Sequence, residues 1–278
     1  MPYNVNIGIM QGRLSPKIDD RIQVFPKKYW KEEFKIASEC NFDSIEWIVD
    51  EYENPMMNKE EIKEIEKISS EFNIKINSVC CDFFMSNLLF RISDKQQKEN
   101  LTVLKKLIEN AYILGIKILE IPLVDSSSMK NKEEEKQLIT NLNKIIQYAE
   151  DLGIIIGLET DYHPQKILKL LENFKSKNIA LNYDSGNSAS LGYNMYEEFE
   201  LLGKLIRNIH IKDRLYRGNT VPFGTGDVDF DVLFKLIKKS EYKGDLILQG
   251  ARNEKELPED TCKKYILFVK QYVDKYLK

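Results

Sequence analysis

From end to end, the chain alternates short apolar, β-branched runs with longer charged segments of helical period, and this alternation restricts the fold most. The runs predict strands over Asn4–Met10, Ser44–Ile48, Lys75–Cys80, Lys117–Ile121, Ile154–Glu159, Ile179–Tyr183, Ile206–Ile211 and Leu246–Gln249. The segments between them predict helices over Lys27–Cys40, Lys59–Phe72, Lys95–Leu114, Lys132–Leu152, Pro164–Ser176, Met195–Leu202 and Val228–Ser240, with a last helix over Pro258–Leu277. Gly115, Gly153 and Gly244 sit where a helix stops before a strand, a position that favours a left-handed residue. Asn58 and Asn131 precede helices as caps. Such units in an unbroken row, with no Pro/Gly/Ser-rich linker, predict one closed parallel (β/α)₈ TIM barrel, a single domain over residues 1–278. An open doubly wound sheet is the rival, but no GxGxxG follows the first strand.

Charge narrows the functional classes. Lys plus Arg is 41 against 44 Asp plus Glu, a net charge of -3, so nothing favours nucleic acid or an anionic membrane surface. Cys40, Cys80, Cys81 and Cys262 form no CxxC pair, which argues against a zinc ribbon or a disulfide framework. With no signal-like start and no long apolar run, the expected location is cytoplasmic.

In a barrel of this kind, polar residues at strand C-termini face the active site. The later strands end on Glu159, Asp184, His210 and Gln249. Glu159 and Asp184 are 25 positions apart, and Asp184 and His210 are 26 apart, about one βα unit each. Neighbouring strands therefore place these groups side by side. Two carboxylates, an imidazole and an amide oxygen suit one divalent ion, Mn²⁺, Mg²⁺, Co²⁺ or Zn²⁺. His210 carries most weight, because the chain has only two histidines. Each group taken alone is equally an ordinary polar strand end.

Gly8–Leu14 (GIMQGRL), Leu158–Thr160 (LET), Asn182–Asn187 (NYDSGN), His210–Asp213 (HIKD) and Gly224–Phe230 (GTGDVDF) fall in order along the chain. Together they resemble the xylose-isomerase-like sugar phosphate isomerase/epimerase superfamily over essentially the whole length. The resemblance implies a barrel with one metal held by Glu, Asp, His and Glu on the last four strands, the first three matched by Glu159, Asp184 and His210. It implies that Glu159 is also the catalytic base, removing a proton next to a carbonyl to give a metal-stabilised enediolate. The fourth position departs: Gln249 replaces a glutamate and cannot exchange a proton, although its oxygen can bind metal. Asn187 stands where many members have histidine.

The expected substrate is a small sugar or sugar phosphate, and the expected reaction isomerisation or epimerisation. Arg13, Lys212, Arg214, Arg217 and Arg252 are candidates for an anionic group on it. Asn187 joins the expected substrate binders. Glu46, Asp82 and Asp125 are hydroxyl binders, structural carboxylates or a replacement acid. Trp47 and Phe83 line the pocket or pack the core. The Gly224–Gly226 turn is a candidate closing loop. A polyol or inosose dehydratase and a non-catalytic sugar-binding barrel are the alternatives. A DNA-repair endonuclease of the same superfold fits poorly with two histidines and a negative charge. Barrels of this type often pair through helices and loops, so a homo-oligomer is an expected assembly.

Overall fold

The computed structural model describes residues 5–19 and 21–278. The strands are β1 (Ile7–Met10), β2 (Ser44–Ile48), β3 (Ser78–Cys80), β4 (Ile118–Leu123), β5 (Ile155–Thr160), β6 (Ile179–Asp184), β7 (Ile206–Ile211) and β8 (Leu246–Leu248). They pair in parallel, each with its sequence neighbours, and β8 returns to β1 to close the barrel. Asn4, the first residue of the first expected strand, lies outside the described residues.

Helices alternate with the strands: α1 (Trp30–Glu39), α2 (Lys59–Phe72), α3 (Phe83–Ser86), α4 (Asp94–Ile113), α5 (Lys132–Leu142), α6 (Ile146–Asp151), α7 (Pro164–Glu172), α8 (Ser185–Leu191), α9 (Met195–Leu202), α10 (Phe230–Lys239) and α11 (Pro258–Tyr276). Asn58 caps α2 by accepting from the Glu60 amide, and Asn131 caps α5 by accepting from that of Glu134. Gly115 and Gly153, at φ 72° and 67°, end α4 and α6 in the left-handed region.

Three expectations change. The single helix over Lys132–Leu152 is two, because Lys144 and Ile145 bond back three residues rather than four and tighten the turn. Asn141 there turns its side-chain amide to the Leu89 carbonyl instead of solvent. Gly244 is not the left-handed stop after α10; Glu241 takes that conformation at φ 56°. A Cβ at Gly244 would lie 2.3 Å from the Tyr242 hydroxyl, so close approach explains this glycine. The short helices α3 and α8 lie outside the expected set; α8 follows β6 directly, two residues separate α3 from β3, and both carry residues of the mouth, Met85, Ser86 and Asn187.

Trp47 and Phe83 are core residues. Trp47 packs against Phe25, Trp30 and Phe34, and its indole N–H donates to Asn54 at 2.9 Å. The four cysteines are buried free thiols.

Candidate metal centre

Because every strand runs in one direction, all C-terminal ends open on one mouth. Asp184 and His210 are paired across β6 and β7, and Glu159 stands level with Pro122 of β4. Glu159, Asp184 and His210 each bring one ligand atom to within 4.8 Å of the others. Gln249 follows β8 directly, with its N–H bonded to the Ile211 carbonyl at 2.9 Å. It lines the same cleft of about 840 Å³ as Glu159 and His210.

His210 is oriented from behind. Its Nε2 lies 2.6 Å from Glu46 Oε2, and its Nδ1 lies 3.3 Å from Glu159 Oε2. An imidazole that gives its Nε2–H to a carboxylate leaves Nδ1 with a free lone pair when neutral, the usual backing of a metal-binding histidine. Burial opposes a charge on His210, but Glu46, Glu120 and Glu159 outweigh it and raise its pKa well above the ordinary value. A cation at Nδ1 therefore competes with a proton.

Burial alone would push the Glu159 carboxyl up. The hydrogen bond and charge of His210, with the charge of Lys212, outweigh burial and hold it at about 2. Its oxygens accept from Asn187 Nδ2 at 2.6 Å and Asn182 Nδ2 at 3.1 Å. Asp184 Oδ1 caps α8 through the Asn187 amide at 2.7 Å, and Oδ2 lies 3.3 Å from Lys212 Nζ. Burial raises the pKa of Asp184 against the pull of Lys212. A Cβ at Gly186 would come within 2.7 Å of Lys212 Cγ, so only glycine lets Lys212 cross α8 this closely.

The Gln249 Oε1 atom is buried and has no hydrogen-bond partner among the described residues. An orphaned oxygen on a residue that lines the cleft with Glu159 and His210 is what a hard divalent cation would satisfy, so the residues fit such an ion.

The other expected site residues divide. Asp82, Asp125, Asn187, Lys212, Arg214, Arg13 and Arg252 line the cleft; Glu46 does not, being fully buried behind His210. Arg214 Nη1 donates to Asn187 Oδ1 at 2.8 Å. Arg252 donates to the carbonyls of Ser15 and Gly12, and Arg13 to that of Ile22, so both stitch the loop after β1. Burial, then the charge of Arg252, lowers the pKa of Arg13 to about 10. Burial lifts Asp82 to about 6. Arg217 lies over the Tyr216 ring. The Gly224–Gly226 turn is pinned by Asp213, which accepts from the amides of Gly224, Gly226 and Val228, and it does not line the cleft.

Sequence reasoning missed Glu120, Asn182, Asn208 and Gln23. Both Glu120 oxygens, Asn182 Oδ1 and Asn208 Oδ1 are buried without partners among the described residues. Glu120 lines the cleft and lies 3.7 Å from His210 Nε2. Burial, then the charge of Glu159, raises its pKa well above the carboxylate range. The available signal was a carboxylate in the middle of the apolar run Ile118–Leu123, where only an inward polar role explains it.

Residues 34–268 match the xylose isomerase-like TIM barrel family. The chain belongs to that family. A probable L-ribulose-5-phosphate 3-epimerase of Mycoplasma pneumoniae is 28% identical over 75% of this chain and 72% of its own length. Among solved structures, the IOLI protein with a binding zinc atom superposes with a TM-score of 0.79 at 18% identity, covering 98% of this chain and 99% of that one. An L-ribulose 3-epimerase superposes at 0.78 with 16% identity, covering 98% and 96%. At these identities the two structures establish the xylose isomerase-like barrel itself. Among the described residues, no helix is long and apolar enough to cross a membrane.

Proposed function

We propose that this xylose isomerase-like barrel is a divalent-metal-dependent isomerase or epimerase of a small ketose phosphate, with Glu159 as its base. The observation that carries the reading is the convergence of Glu159, Asp184 and His210 within 4.8 Å, with the unpartnered oxygen of Gln249 on a residue of the cleft that Glu159 and His210 line. These four residues would hold the ion, as Mn²⁺, Mg²⁺, Co²⁺ or Zn²⁺. When bound, such an ion supplies Lewis acidity toward a carbonyl or hydroxyl oxygen. Gln249 in place of a carboxylate leaves one negative charge fewer around it, which preserves that acidity.

Glu159, held ionised, removes the proton from the carbon next to the carbonyl. Asn182 and Asn187 fix the direction of its carboxylate. Lys212 and Arg214 place positive charge on the cleft wall, suited to a phosphate on the substrate. The curated relative acts, by its name, on L-ribulose 5-phosphate, which makes ketopentose 5-phosphates the first substrates to test. Gln249 cannot return a proton. If Glu159 delivers it on the same face to the former carbonyl carbon, while the neighbouring hydroxyl proton passes to the former carbonyl oxygen, the product is an isomer. If Glu120 or Asp82, both lining the cleft, returns it to the other face, the product is an epimer.

The test is product analysis by NMR and mass with Mn²⁺ and a panel of pentulose and hexulose phosphates. A product of unchanged mass is expected. A product lighter by one water would replace this reading with a dehydratase, a class that also starts by removing such a proton.

A further inference from the structure

Gln249 carries its amide into the mouth in one orientation, and residues outside the ligand set decide which. Its Nε2 donates to Gln23 Oε1 at 2.7 Å. Gln23 belongs to the long loop between β1 and α1, and two groups of opposite capacity fix its own amide. Arg13, which can only donate, points Nη2 at Gln23 Oε1 at 3.4 Å. Asp82, which accepts from Gln23 Nε2 at 2.9 Å through one oxygen, accepts from the Cys80 thiol at 3.2 Å through the other. Turning Gln23 over would set its NH₂ against a guanidinium and its oxygen against a carboxylate. Gln23 therefore offers position 249 an acceptor. An amide answers with its NH₂ and sends its own oxygen, buried and unpartnered among the described residues, into the site. An ionised glutamate at 249 would meet oxygen with oxygen.

We propose that Gln23, fixed by Arg13 and Asp82, is a positioning residue that selects an amide at position 249 and aims its carbonyl oxygen at the cation. The loop after β1 is thus matched to the neutral fourth ligand: Gln249 is a built feature of this chain, not a scar of lost function. The inference rests on the cation reading above.

Mn²⁺ affinity, read from the free-ion EPR signal during titration, tests it without any turnover. Gln249→Met, which removes a ligand oxygen, is expected to weaken binding about 100-fold, and the near-isosteric Gln23→Met about 10- to 100-fold, the usual range when a ligand's support is lost. The double variant should bind no more weakly than the worse single, because both remove one oxygen from the ion. Gln23→Glu combined with Asp82→Asn keeps the oxygen facing Gln249 and gives the other oxygen of the new carboxylate a donor in place of Asp82, so it should restore most of the affinity, which a merely structural role would not predict. Wild-type affinity in Gln23→Met or in Gln249→Met overturns the proposal, and so do losses that multiply in the double. If Gln23→Met does not fold, Asp82→Ala probes the same relay from its far end: weakened binding supports it and unchanged binding overturns it. Failure of the underlying reading looks different. There the wild type binds no Mn²⁺, or Asp184→Ala binds it as tightly, and the relay falls with the site.

Discussion

The two ends of this barrel bury polar groups in opposite ways. At the N-terminal end, Asp245 accepts from Asn6 through one oxygen and from Ser44 and Asn77 through the other, at 2.7–3.0 Å. Donors from three segments converge on one acceptor, and the carboxylate is satisfied. At the C-terminal end, Glu120, Asn182, Asn208 and Gln249 bury oxygens with no partner among the described residues. A buried unpaired oxygen costs about 1–3 kcal/mol, so the mouth holds polarity that does not serve stability. Ser78 Oγ at the start of β3 and Asn110 Oδ1 on α4 are also buried without partners among the described residues, so it is the clustering of such oxygens around one carboxylate–imidazole group, not a single orphan, that marks the place for a ligand.

Exchanging the perturbations between the ends would break that comparison. The largest expected effect is at the mouth: Asp184→Ala should lower Mn²⁺ affinity more than 100-fold, since it removes a ligand outright and not merely its support. Asp245→Ala should leave that affinity unchanged and cost about 4 kcal/mol of stability in urea unfolding, because it orphans the donors that meet there. Equal stability losses at Asp184 and Asp245 would erase the distinction.

The loop after β1 should carry pH dependence. Glu33 of α1 accepts from the amides of Gly12 and Leu14 under the loop after β1, near Arg252, and burial raises its pKa from 4.5 to about 7. The folded chain then keeps a proton that the unfolded chain has lost. This contribution to stability is complete below pH 4.5 and is lost as pH rises to about 7, up to about 3 kcal/mol. Urea midpoints across that window should fall in the wild type and flatten in Glu33→Gln. The smallest effect is a gain: Glu120→Met replaces a buried carboxyl that has no hydrogen-bond partner among the described residues and only a 3.7 Å approach to His210, and should stabilise the fold by about 1 kcal/mol while weakening turnover. A stability loss there would mean that Glu120 has a structural partner after all.

Much of this was legible in the sequence because it is periodic. Strand and helix alternation and the caps at Asn58 and Asn131 follow from local chemistry, and they emerge close to their expected bounds. Glu159, Asp184, His210 and Gln249 were legible because each ends a strand, and strand ends of a parallel barrel share one rim. What was not legible depends on pairing across the barrel. Glu46 looked like a mouth residue, yet its partner is the far side of His210. Glu120 lies inside the expected strand Lys117–Ile121 and not at its end, and only closure of the barrel brings it to 3.7 Å from His210. Gln23 lies in a loop without periodicity, and only folding brings it to Asp82 and Gln249.

The most direct test of the central claim is hydrogen exchange in D₂O on the ketose phosphate panel with Mn²⁺-loaded protein. Deuterium is expected to enter the carbon next to the carbonyl, and Glu159→Gln to reduce the rate by about 10²- to 10⁴-fold, the usual worth of a positioned base. Exchange that persists in Glu159→Gln would assign the proton to another group and rule out Glu159 as the base.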